Sequence, residues 1–233
     1  AENDCNGTGG NSVTCINNAD SDINEINSIG QFNTATTAGD VLSDQNNDVT
    51  LAQSGSLVNT CDETGGGVNQ ATCQNVDDLS IIGPITQNNA VGALNSDTAH
   101  QSNVAQVTQN LDAVNDCDED GTGFNQASCS NELTSNNIDS ITQGNDATVG
   151  DDTAQLNFVA VNQNLLLQNV CDETGIGDNA AICNDPNGND NNNNFIGPVT
   201  QSNDPDGSGD ADFTQNNSIP KIDQVIDAEN DCD

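Results

Sequence analysis

Small apolar and polar residues alternate along four stretches of the chain: VTLAQSGSLVN (49–59), AHQSNVAQVTQNLDAVN (99–115), AQLNFVAVNQNLLLQN (154–169) and FTQNNSIPKIDQVIDAEN (213–230). A period of two marks extended chain with one face turned inward. Val, Ile and Thr form strands, whereas the Asn, Gly and Asp between them belong to turns. Shorter segments predict a second set of strands: INSIGQFN (26–33), IIGPITQN (81–88), IDSITQGN (138–145) and IGPVTQSN (196–203). No stretch carries a sustained helical stripe with caps. The expected class is all-β.

The pattern repeats. CDETGGGVNQATC (61–73) returns as CDEDGTGFNQASC (117–129) and CDETGIGDNAAIC (171–183), with a shorter version, CNGTGGNSVTC, at 5–15. The opening cysteines Cys5, Cys61, Cys117, Cys171 and Cys232 stand 56, 56, 54 and 61 residues apart. Four repeats follow, 1–60, 61–116, 117–170 and 171–233, forming one continuous repeat domain whose last part begins a fifth repeat. Each contains a Gly- and Asp-rich cysteine-bounded loop, a connector, a short strand, a turn and a longer alternating stretch. Glutamines mark fixed stations: Gln31, Gln45 and Gln53; Gln87, Gln101 and Gln109; Gln143, Gln155 and Gln163; Gln201, Gln215 and Gln224.

Composition changes the picture in one respect. With a formal charge of -36, one Lys, no Trp or Tyr and 32% hydrophobic residues, the chain has the profile of a disordered segment. Registered repeats and cysteines argue instead for a thin core in which each repeat completes its neighbour. Asn and Gln at equivalent positions of stacked strands can join in amide ladders. Gln31, Gln53, Gln87, Gln109, Gln143, Gln163, Gln201 and Gln224 are the expected ladder positions. The architecture is expected to be a disulfide-stapled β-repeat, solenoid-like or built of stacked strand–turn–strand units.

The Q-x-N stations in ITQNNAVGALN (85–95), AHQSNVAQVTQN (99–110) and ITQGNDATVG (141–150) resemble curlin-type repeats. The whole chain is similar to Asn/Gln-rich, Cys-punctuated secreted repeat proteins predicted in ammonia-oxidising archaea. The curlin resemblance implies strand–turn–strand units with internal ladders that build extracellular fibres. The chain departs from curlins in its longer repeat and its cysteines.

Nine cysteines without C-x2-C spacing read as a disulfide framework in an oxidising compartment. Two pairings are open. The local set is Cys5–Cys15, Cys61–Cys73, Cys117–Cys129 and Cys171–Cys183, leaving Cys232 as an inter-subunit candidate; it is preferred because its loops are short and alike. The staggered set is Cys15–Cys61, Cys73–Cys117, Cys129–Cys171 and Cys183–Cys232. The segment AENDC occurs at 1–5 and 228–232, so head-to-tail contact between copies is expected. Asn6 and Asn216 head glycosylation sequons. A mature secreted chain, its leader removed, is expected at the cell surface or beyond.

Acidity disfavours nucleic-acid and anionic-membrane partners and favours divalent cations or further copies of the chain. NDPDGSGDADF (203–213) sets Asp204, Asp206, Ser208, Asp210 and Asp212 at alternate positions, oxygen ligands of the type calcium requires. Asp62, Glu63, Asp118, Glu119, Asp120, Asp172 and Glu173 in the cysteine loops are further candidates, with 185–190 (DPNGND) weaker. Catalysis finds no support: His100 lacks an obvious nucleophile or metal partner in the sequence, and the repeated acids lack aromatic sugar platforms. The functional expectation is a structural subunit polymerising end to end. The alternative is a monomeric calcium-dependent adhesin or ligand-binding module.

Overall fold

A computed structural model describes residues 2–9, 12–18, 24–38, 42–76, 79–94, 98–132, 135–149, 152–182, 193–207 and 212–232. Among these the elements are all strands: β1 (Glu2–Thr8), β2 (Ser12–Asn18), β3 (Asn24–Ile26), β4 (Ile29–Ala38), β5 (Leu42–Val76), β6 (Leu79–Ile82), β7 (Ile85–Leu94) and β8 (Thr98–Glu132). The series continues with β9 (Ser135–Ile138), β10 (Ile141–Val149), β11 (Thr153–Glu173), β12 (Ile176–Ile182), β13 (Asn193–Ile196), β14 (Val199–Gly207) and β15 (Phe213–Cys232). The chain is an all-β, solenoid-like repeat protein.

Every pairing is parallel and joins a residue to its equivalent in the next repeat: Gln87 to Gln143, Asn103 to Asn157, Cys61 to Cys117. The strands stack into three sheets, β1-β5-β8-β11-β15 with β2 and β12 alongside, β4-β7-β10-β14, and β3-β6-β9-β13. Successive rungs lie about 4.8 Å apart, the ordinary strand spacing. The repeats differ in length where the strands are connected. Gln143 stands 56 residues from Gln87, whereas Gln155 stands 54 from Gln101, so two residues are lost between β10 and β11. The long last repeat adds a bulge opposite Phe158–Ala160, where Pro220 cannot donate to the ladder.

Two expectations are corrected. Segments such as 81–88 are not single strands: Gly83–Pro84 makes a corner between β6 and β7, and Asp139–Ser140 and Gly197–Pro198 repeat it. The corners remain in the ladder, with Gly83 N donating to Ile26 O and Ile85 N to Ser140 O. The cysteine-bounded segments, expected as loops, are strands that fold back on themselves into a lobe, rung upon rung. At the lobe tip Gly67, Gly123 and Gly177 have φ of 121°, 135° and 151°, a region that favours glycine.

The core is half apolar and half amide. Ile82, Ile85, Ile138 and Ile141 pack against Val107, Val159 and Val161 beside the corners. Leu57, Leu111, Leu165 and Leu167 form a second cluster, and the cysteines with Ala71 and Ala127 fill the lobe. Between them lie Gln87, Gln109, Gln143, Gln163, Asn59, Asn103, Asn115 and Asn157, all fully buried.

Candidate functional site

Alternation decides which groups can do anything. Positions in step with the buried cysteines point inward, and those between them face solvent or the next column. Inside, the expected glutamine ladders form. Gln87 Nε2 donates to Gln31 Oε1 (2.9 Å), Gln143 to Gln87 (2.8 Å) and Gln201 to Gln143 (2.9 Å). A second column links Gln109 to Gln53 (2.9 Å), Gln163 to Gln109 (2.8 Å) and Gln224 to Gln163 (2.7 Å). In both, the later rung donates to the earlier.

Asparagine ladders, for which the sequence predicts no specific positions, mostly run the opposite way, Asn164 to Asn110 (2.9 Å) being an exception. Asn47 Nδ2 donates to Asn103 Oδ1 (2.9 Å), Asn103 to Asn157 (2.9 Å) and Asn157 to Asn217 (2.9 Å). Facing them, Asn33 donates to Asn89, Asn89 to Asn145 and Asn145 to Asn203, each at 3.0 Å. The two columns also bond across the core, as Asn89 does to Asn103 (3.1 Å).

The local disulfide set holds for Cys5–Cys15, Cys61–Cys73 and Cys117–Cys129. The staggered set, which requires Cys15, Cys61, Cys73, Cys117 and Cys129 to bond between rungs, is not the one formed. Cys171 is buried in register with Cys117, and Cys183 lies outside the described residues. Three such bridges fit an oxidising environment.

The acidic candidates separate into inward and outward groups. Asp62, Asp118 and Asp172 form one outward column, and Asp120 is exposed. Burial, and then the neighbouring aspartates, push the carboxyls of Asp116 and Asp118 above the usual range. Glu63 and Glu119 point inward and are 0% and 1% exposed; burial raises Glu63 as well. Glu173 continues that column by register. Asp204 and Asp206 lie exposed on β14, and Asp212 N donates to Asp152 Oδ1 (3.1 Å). Ser208, Asp210 and the segment 185–190 lie outside the described residues.

Both sequon asparagines, Asn6 and Asn216, are exposed. His100 meets Asp44 across one rung (Nδ1–Oδ1 3.1 Å), with both side chains exposed. Lys221 meets Asp223 at 2.9 Å on the surface.

Two strand edges stay unpaired among the described residues. Among the described residues, β15 pairs only with β11, and 42–57 of β5 pair only with β8. Core columns run out at β15: Ile222 stands in line with Val161 and Ile226 with Leu165, and they are 46% and 48% exposed where the earlier members are 1%. No family model matches the chain, and comparisons with curated proteins and with solved structures find no match either.

Proposed function

We propose that the chain is the structural subunit of an extracellular filament, its coils stacked head to tail. The observation that carries this reading is the match between the two open edges. By register, the outer edge of β15 offers Gln215, Asn217 and Gln224 to the columns of Gln45, Asn47 and Gln53. A second copy seated there continues three sheets and their ladders without new chemistry, as strand addition at a sheet edge does. It also covers Ile222 and Ile226. A non-closing contact of this kind propagates into a fibre.

The four residues ENDC supply a detail of the junction. They occur at 2–5 and 229–232, and Cys5 and Cys232 occupy the same column, each in line with a Cys171 or Cys61 rung. At a junction only one ENDC can lie on a given rung of that column, so one strand yields its place to the other. Cys232 then takes the position from which Cys5 bridges to Cys15, which would give an inter-subunit disulfide. Divalent cations would relieve repulsion between outward acid columns as copies approach.

Negative-stain electron microscopy of the purified chain, with and without calcium and reductant, tests the reading. Uniform filaments are expected. Isolated particles in every condition would overturn it and leave the monomeric, calcium-dependent binding module in front.

A further inference from the structure

We infer that Lys221, the one lysine of a chain without arginine, is the electrostatic latch of the head-to-tail junction and pairs across it with Asp48 of the next copy. The inference rests on the stacking reading above. Lys221 lies on β15, the last rung, in one outward column with Ala160, Gln106 and Thr50. It follows Pro220 at the bulge opposite Phe158–Ala160, and its side chain is 65% exposed. Toward the earlier rungs it finds no carboxylate: Gln106, Thr108, Ala160 and Asn162 line the shallow depression beside it. Its partner within the copy is Asp223, two residues further along the same exposed strand (2.9 Å). A pair of that kind is weak and easily exchanged.

The receiving edge, 42–57 of β5, carries two acids, Asp44 and Asp48, both exposed. Asp44 already meets His100. Asp48 takes part in neither ion pair of the described residues. The register that brings Gln215 to Gln45 and Gln224 to Gln53 brings Lys221 to Thr50, and Asp48 is the neighbouring outward residue on that strand. Diagonal neighbours on adjacent strands stand about 7–8 Å apart, within reach of a long side chain.

The rest of this edge is sorted by charge. Asp223 comes to Ala52, Asp227 to Ser56, and Asp44 and Asp48 come to Thr214 and Ser218. Stacking therefore sets no carboxylate directly over another along 42–57, whereas inside the copy Asp62 does stand over Asp118. Lys221 beside Asp48 is the point on this edge where opposite charges meet.

With one lysine in the chain, zero-length carbodiimide coupling reads its neighbour directly. Isotopically light and heavy chains are mixed, assembled, coupled and mapped by mass spectrometry. Filaments are expected to give Lys221–Asp48 links that join light to heavy chains; dispersed chains are expected to give Lys221–Asp223 links within one chain. Lys221→Gln and Asp48→Asn should each raise the critical concentration for assembly about two- to fivefold at low salt, and less at high salt. The exchange of Lys221→Asp with Asp48→Lys should restore it, and Asp223→Asn, which removes the competing partner, should not raise it. Filaments without inter-chain Lys221–Asp48 links, or a Lys221→Gln chain that assembles at the wild-type concentration, would overturn the latch and leave head-to-tail stacking in place. A wild-type chain that forms no filaments would overturn the stacking, and the latch with it.

Discussion

Replacing Gln109 by Met tests whether amide stacking holds the rungs together. Gln109 is fully buried; its amide donates to Gln53 Oε1 (2.9 Å) and Ser80 O (3.0 Å), and its Oε1 accepts from Gln163 (2.8 Å). Methionine has similar length and removes every one of these bonds. Each net bond is worth about 1 kcal/mol, and stranding a buried partner about 1–3 kcal/mol. Two partners retain other contacts, Gln53 Oε1 with Ser80 Oγ (3.0 Å) and Gln163 Nε2 with Phe195 O (3.1 Å). The expected loss is therefore about 2–3 kcal/mol rather than the full sum over the three bonds and their stranded partners. Gln224 is the control: it makes the same ladder bond to Gln163 (2.7 Å) on an exposed last rung, so Gln224→Met should cost about 0.5–1 kcal/mol. Guanidinium unfolding followed by far-UV circular dichroism reads both. A Gln109→Met loss no larger than that of Gln224→Met would show that the apolar columns, not the amides, hold the stack.

Glu63, Asp116 and Asp118 have raised folded-state pKa values, so the folded chain binds protons the unfolded chain does not. The stability they contribute is complete below the ordinary carboxylate range and is lost as pH rises through the folded values; metal-free melting temperature should therefore rise on mild acidification from neutrality, and a fall would contradict it. Replacing Cys61 and Cys73 together by Ser opens a bridge of sequence separation 12 and should cost about 2–3 kcal/mol, while peptide mapping of the unreduced protein should return within-rung bridges. Gly123→Ala meets a φ of 135° and the Gly67 carbonyl and should cost about 1–3 kcal/mol. Gly92→Ala, with open space around its Cβ, should stay within about 0.5 kcal/mol; equal effects at the two glycines would refute the assignment of the lobe tip.

Much of this fold is written in spacing. Equal intervals between Gln31, Gln87 and Gln143 mark a repeat whose like residues can stack, and pairing of those residues in parallel register realises it. The corner at Gly83–Pro84 was less legible: a Gly-Pro pair inside an apolar segment marks a turn, yet Asp139–Ser140 makes the same corner with residues common elsewhere in the chain. The lobes were hidden by composition. Gly and Asp at such density signal loops, and only stacking against an identical neighbour turns that sequence into strand. The inward placement of Glu63 did leave a signal, since it is two residues from buried Cys61 and so shares its face. Charge drew attention to all the acids alike, whereas parity separates Glu63 from Asp62.

Repetition in register also explains why amides occupy the core and acids the outside. A stacked column brings each side chain against a copy of itself. An amide carries both donor and acceptor, so it bonds to its own copy indefinitely. A carboxylate can only repel its copy: at about 4.8 Å in water the cost is about 0.9 kcal/mol per pair, tolerable for Asp62, Asp118 and Asp172 on the outer face and screened there by salt. Inside, screening is absent and the same pairing becomes far more costly. Every inward polar column should on this logic be amide or hydroxyl, and most are. Glu63 over Glu119 departs from the rule, and burial raises the Glu63 carboxyl accordingly.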